Sequence, residues 1–178
     1  MIKHEEQIIL SSERLYFRRH IMADMEVFCA MEQSPEMRRY VGGTPRTRGE
    51  AERRFNNNLQ SVSNRLSVWA TILKSENKYI GRCGLYPHFN PNGEPIKNEA
   101  TLALYIAHKY WGNGFATEAG QAFIQFGFNE LKLKRIVATV EVGNDVSEHI
   151  IKKLGFSLVR IEGGLRSFYH FEINNYNS

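Results

Sequence analysis

The stretch from Thr101 to Ala119 limits what this chain can fold into more than any other. It opens with alternation. Leu102, Leu104 and Ile106 share one side and Thr101, Ala103, Tyr105 and Ala107 the other, as a strand requires. The chain then passes Gly112 and Gly114, and from Thr117 places Ala119, Ala122, Phe123 and Phe126 at helical spacing. A strand that runs through a glycine turn into a helix start makes an anion site for a physical reason. The first amides of a helix have no intrahelical partner, and the helix dipole leaves that end partly positive. Without a Cβ, a glycine lets a phosphate approach the backbone and lets the chain take unusual dihedrals. The ligand class this predicts is a nucleotide-like phosphate.

Two better-known glycine loops do not fit. A P-loop needs Gly-x-x-x-x-Gly-Lys-Ser/Thr, and no such lysine follows here. A dinucleotide fingerprint needs a third glycine where Thr117 stands, inside alternating strands and helices. The segments before the turn read instead as antiparallel hairpins, so a dinucleotide-binding enzyme is a poor third reading.

The run Tyr110-Trp111-Gly112-Asn113-Gly114-Phe115-Ala116-Thr117-Glu118-Ala119 resembles the acetyl-CoA-binding motif of the GNAT acetyltransferase superfamily. It is most similar to the branch of the RimJ/RimL ribosomal-protein N-terminal acetyltransferases. Ser12-Glu13-Arg14-Leu15-Tyr16-Phe17-Arg18 resembles that branch's opening strand. Asn144-Asp145-Val146-Ser147, leading to Lys153-Leu154-Gly155-Phe156, resembles its second cofactor motif. Three positions depart from the wider pattern. Trp111 replaces Gln or Arg, Thr101 stands where relatives often carry an acid, and Ile151 stands where many carry a proton-donating tyrosine.

The chain's 178 residues suit one domain, 1–178, with a sizeable core. The opening residues are too polar for a signal peptide and no apolar run approaches membrane-spanning length. Cys29 and Cys83 lack metal-type spacing and sit in apolar surroundings. They read as buried core residues of a cytoplasmic protein, with no metal and no membrane partner. The net charge of +4 comes from scattered small groups of Arg and Lys. That is a solvated surface rather than a nucleic-acid stripe.

Along the chain, Ile8 to Arg18 reads as a first strand and Ala23 to Glu32 as a short helix. Ser34-Pro35 starts another turn that Gly42-Gly43 stops, and Thr47 to Glu50 is a capping box opening a helix to about Ser61. Ser67–Leu73 and Tyr79–Leu85 read as strands, and Pro87 to Glu94 as a loop before the central strand from about Asn98. After the central helix come a strand, Arg135 to Val142, and a helix capped by Asn144 with Val146, Ile150, Ile151 and Leu154 as its apolar face. Gly155 ends that helix, and a hairpin, Phe156–Ile161 with Ser167–Ile173, closes the chain. The sum is α/β (α+β), a mixed and mostly antiparallel sheet with helices on both faces, which agrees with the GNAT fold.

The resemblance implies an N-acetyltransferase that moves an acetyl group from acetyl-CoA to a primary amine by direct attack. Pantetheine would lie along the central strand, with backbone bonds from Ile106 and His108, and the phosphates on the amides of Trp111, Gly112, Asn113, Gly114, Phe115, Ala116 and Thr117. Asn144 and Ser147 would complete the cofactor contacts, Asn144 also being an N-cap. Ser147 would protonate the leaving thiolate, and Glu99, on the Thr101 side of its strand, would take the amine's proton through water. Glu141 is a second candidate base, whereas Glu118 should point away from the phosphates. His88 and His108 read as surface or hydrogen-bonding residues. The acceptor, a protein N-terminus, peptide or small amino compound, would be bordered by Met37, Arg38, Tyr40, Arg166 and Tyr169. The chain would act as a monomer or homodimer. A non-catalytic acyl-CoA-binding module is the alternative that Thr101 and Ile151 keep open.

Overall fold

The computed structural model describes residues 8–60 and 65–175. Its described strands form one eight-stranded sheet in the order β1-β2-β3-β4-β5-β6-β8-β7. The strands are β1 (Ile8–Ser11), β2 (Leu15–Arg18), β3 (Val68–Leu73), β4 (Lys78–Phe89), β5 (Pro95–Ile106), β6 (Arg135–Glu141), β7 (Ser157–Glu162) and β8 (Phe168–Asn174). Neighbours pair antiparallel except β5 and β6, which run parallel because helix α4 (Phe115–Asn129) crosses between them.

The predicted alternation of β5 sorts the core. Leu102 and Ile106 join Phe17, Phe123, Ile136 and Phe171 in one apolar cluster under α4 and α5 (Asp145–Lys153). Tyr105 and Ala107 join Phe28, Phe55, Ala70 and Tyr79 in another, beneath α1 (Met25–Gln33), α2 (Pro35–Arg38) and α3 (Arg48–Gln60). Phe123 is fully buried with its ring edge-on to Phe17 at 4.7 Å, so truncating it would cost about 3–5 kcal/mol. The second cluster draws nothing from β6, β7 or β8, so that half of the sheet keeps an open face. Val137, Thr139, His170 and Glu172 lie there, none of them buried.

The caps behave as their residue types predict. Ser34 Oγ accepts from the Met37 amide at 3.2 Å. Thr47 and Glu50 exchange hydrogen bonds as a capping box, and Asn144 Oδ1 accepts from the Ser147 amide at 3.2 Å. Gly155, at φ 91°, ends α5 in the left-handed region.

Several boundaries differ from the sequence reading. The first strand is two, β1 and β2, paired through a turn at Ser12–Arg14, because Ser12 Oγ and the Arg14 amide are held by Glu118 from α4. β4 continues to Phe89, since Pro87 pairs with Ala100 at a register shift where its missing N–H is tolerated. The central strand accordingly begins at Pro95. α4 begins at Phe115, with Gly114 at its N-cap. Val146 is 64% exposed, as only Ile150 and later residues of α5 reach the sheet. The predicted end of α3 at Ser61 lies outside the described residues. Both cysteines are buried and free.

Candidate active site

The parallel pair supplies the first element of the site. β5 and β6 are in register only from Glu99–Arg135 to Thr101–Val137. Beyond Thr101, β5 stays paired to β4 as far as Ile106, while β6 stays paired to β8 as far as Glu141. The two strands part there, and each leaves an unpaired edge. On that edge of β5 the Ile106 carbonyl accepts the Trp111 indole N–H at 2.7 Å, leaving its second lone pair.

The glycine turn is the second element. Gly112 and Gly114 have φ of 78° and 79°, which L side chains rarely adopt. A Cβ at Gly112 would meet nothing within 4 Å, so no packing within the protein forbids a side chain there. The Glu118 amide donates to Gly114 at 3.0 Å, but the amides of residues 112 to 117 have no hydrogen-bond partner among the described residues. The Asn113 side chain fixes the loop from within by donating to the Tyr110 and Trp111 carbonyls at 3.1 and 3.0 Å. His108 is exposed with its ring edge-on to Trp111 at 4.7 Å, and its carbonyl already accepts the Trp111 amide at 3.0 Å.

Glu118 points away from the turn, as expected. It accepts from Ser12 Oγ, the Arg14 amide and Arg14 Nε, each at 2.7 Å. Burial pushes its carboxyl up, but these hydrogen bonds outweigh burial and hold it below the usual carboxylate range. Arg14 in turn donates to the Asn113 carbonyl at 3.0 Å and lies over the Phe115 ring at 4.6 Å. The opening turn of the sheet thus clamps the glycine turn.

Where the strands part, the open face gathers polar groups. His88 Nδ1 lies 3.2 Å from Thr101 Oγ1, at the last residue of β5 paired to β6. His88 belongs to β4 rather than a loop, and the sequence concealed this because Pro87 reads as a breaker. Burial lowers its imidazole below the ordinary value. Glu99 opposes that shift, and Arg135 and His170 add to it. The result is a neutral imidazole near pH 7. In the tautomer whose Nδ1–H donates to Thr101 Oγ1, Nε2 carries the free lone pair and can accept a proton. Glu99 itself is gripped by Arg135 at 2.6 Å, and Arg135 also holds Glu172 at 3.0 Å.

The remaining candidates divide. Ser147 is half-buried on the first turn of α5, with Asn144 as its cap. Glu141 is held by the Arg166 guanidinium, whose Nη2 reaches the Arg39 carbonyl at 3.4 Å. This joins the final hairpin to the segment carrying Tyr40, itself half-buried under the Arg39 guanidinium at 5.1 Å. Met37 and Arg38 point inward, both 5% exposed. Tyr169 packs on the α4/α5 side, 6.2 Å from the Phe171 ring, so the sheet separates it from Arg38. Among the described residues no group of three or more His, Cys, Asp or Glu could hold a metal ion, and no helix is long and apolar enough to cross a membrane.

Comparison with known proteins places this geometry. Residues 14–157 match the family model of the acetyltransferase (GNAT) domain. An uncharacterized N-acetyltransferase, p20, of Bacillus licheniformis is 33% identical over 164 residues, covering 89% of this chain and 86% of that protein. A solved GNAT-family acetyltransferase from Bacillus anthracis superposes with a TM-score of 0.80 at 23% identity, covering 93% of this chain and 97% of that one. The Vibrio cholerae spermidine N-acetyltransferase, solved with CoA and spermine, gives 0.74 at 20% identity over 90% and 95%. RimL, the ribosomal L7/L12 alpha-N-protein acetyltransferase, solved with coenzyme A, gives 0.76 at 13% over 94% and 98%. The chain belongs to the GNAT acetyltransferase family and is an acetyl-CoA-dependent N-acetyltransferase. The unpartnered amides of the turn and the open edge of β5 fit the phosphates and pantetheine that such an enzyme must hold.

Proposed function

We propose that the enzyme acetylates a primary amine, on a protein N-terminus, peptide or small amino compound, that approaches over the open face of the sheet beside Thr101. The observation that carries this reading is the run of free amides from Gly112 to Thr117, directly downstream of a strand with one unpaired edge. Those amides take the phosphates, and the β5 edge takes pantetheine. The acceptor's nitrogen must be unprotonated to attack, so a group has to collect its proton.

His88 is suited to that task. It is neutral near pH 7, half-buried, and fixed at the point where β5 and β6 part. Glu99, expected to collect the proton through water, is committed to Arg135. Its charge instead favours the protonated form of His88. As the nitrogen–carbon bond forms, the carbon–sulfur bond breaks, the amine proton passes to His88 and on to solvent, and the thiolate is protonated through the Ser147 hydroxyl, which takes a replacement proton from water. A role on ribosomal proteins, as in the RimJ/RimL branch, rests on likeness of motif and of fold to RimL.

The test is release of free thiol from acetyl-CoA across a panel of amines and N-terminal peptides, with calorimetric CoA binding alongside. Turnover on a primary amine is the expected result. Tight CoA binding with no thiol release on any amine would favour the non-catalytic acyl-CoA-binding module. No CoA binding would overturn the assignment of the turn.

A further inference from the structure

Resting on that reading, we propose that the acceptor carries an anionic group, a carboxylate or phosphate, received by the Arg46 and Arg54 guanidinium groups, and that polycationic amines are poor acceptors. The argument starts at Glu32, a fully buried carboxylate on α1. Four guanidinium groups surround it. Arg82 donates to Oε1, while Arg46 Nε, Arg54 Nε and Arg38 Nη1 lie 2.6, 3.7 and 3.8 Å from Oε2. Arg82 is locked between the Phe28 and Tyr105 rings, at 4.4 and 4.1 Å.

One carboxylate cannot balance four cations. The other carboxylates of the surrounding helices are engaged elsewhere. Glu26 and Glu52 take Arg48, Glu50 caps α3, and Glu36 accepts from Ser34. Like charges held together in partly buried surroundings repel one another, and an opposite charge relieves them. At Arg54 burial and then Arg82 push the guanidinium down from its ordinary value, Glu32 opposes them, and Arg46 and Arg38 add to the lowering. A network built only to pin helices to the sheet would be near neutral. This one keeps an excess of positive charge, and its two outer members are the half-buried Arg46 and the exposed Arg54, with 31% and 47% of their side chains accessible.

The excess charge reaches the acceptor side. Burial pushes the Tyr86 phenol up, and the Thr101 hydroxyl and then the Arg54 charge oppose that rise; Thr101 in turn lies beside His88. Tyr86 pairs with Thr101 across β4 and β5. On the same open face each acidic side chain already has a cationic partner. Glu99 and Glu172 share Arg135, Glu141 is taken by Arg166, and Glu162 meets Arg160 and His170. A polycation arriving there finds those carboxylates occupied. An anion finds Arg46 and Arg54.

The experiment compares kcat/KM for O-phosphoethanolamine, 4-aminobutyrate, ethanolamine and spermidine with saturating acetyl-CoA. An advantage of about tenfold for an anionic amine over ethanolamine is expected, the worth of one charge-assisted hydrogen bond. The phosphate and carboxylate arms identify which anion is received. In Arg54→Gln the KM of the preferred anionic amine should rise about tenfold, much more than that of ethanolamine, and Arg54→Lys should recover part of it. Equal use of ethanolamine, or a preference for spermidine, would overturn the inference while leaving acetyl transfer standing. No thiol release with any of the four, or with the peptide panel, would overturn the acetyltransferase reading itself and this inference with it.

Discussion

The glycine turn and the arginine network lie on one sheet and are built in opposite ways. The turn is made of backbone. Its six free amides come from residues 112 to 117, two of them glycine, and side chains such as Asn113 and Arg14 only hold the loop in shape. The network is made of side chains drawn from α1, α2, α3, β4 and the segment at Arg46, and its backbone matters little. A backbone site binds a ligand that every family member shares, and it tolerates many sequences. A side-chain site can be retuned by single substitutions, as suits the half of the enzyme that chooses the acceptor.

That contrast can be broken most severely at Glu32. Glu32→Ala leaves four guanidinium groups around no carboxylate and should cost about 3–5 kcal/mol, read as a large fall in Tm or no folded protein. A mild loss would mean that the network is looser than the geometry indicates.

The same region predicts acid sensitivity. His20, enclosed by the Phe28, Phe55 and Tyr79 rings, is lowered from 6.5 to about 4, mainly by burial. Because the unfolded chain binds the proton first, His20 costs no stability above pH 6.5, and stability is lost as the pH falls from there to about 4. The loss should approach about 3 kcal/mol. Denaturant titrations at several pH values check it, and His20→Gln should flatten the profile in that window.

At the chemistry, His88→Gln should reduce kcat/KM by about 100-fold and remove the part of the acid-side fall in rate that exceeds the titration of the amine itself, leaving CoA affinity unchanged. An unaltered pH profile would exclude His88 as the proton acceptor.

The smallest effect belongs to the turn. Gly114→Val would combine a disfavoured φ of 79° with contact near Arg14, mixing stability with binding. Gly112→Ala is cleaner, since its Cβ meets no protein atom. It should lower stability by only about 1–2 kcal/mol through the left-handed φ while weakening CoA binding. Unchanged CoA affinity would show that Gly112 serves the dihedral alone.

The same contrast explains what the sequence revealed. Alternation at Leu102, Leu104 and Ile106, the two glycines, and the caps at Ser34, Thr47 and Asn144 are local signals, and each appears where its spacing placed it. The parting of β5 from β6 is encoded nowhere locally. It depends on a parallel pair that stops after Thr101. Nor could the chain show that Arg38, Arg46, Arg54 and Arg82 converge on Glu32, because they are far apart in sequence and nothing local joins them; Arg38 reads as an acceptor-site residue and points inward instead. His88 was hidden by Pro87, whose place in a strand depends on a register shift set by β5. Tyr169 was assigned to the acceptor side by its hairpin, yet the pairing register directs it to the opposite face.

The central claim is that backbone, at two places, holds acetyl-CoA. Amide chemical shifts and hydrogen exchange, followed residue by residue as CoA is added, test it directly. The account predicts strong shifts and new protection at the amides of residues 112 to 117 and along the β5 edge up to Ile106, with little change in α3. Saturable CoA binding that leaves those amides unaltered would contradict it.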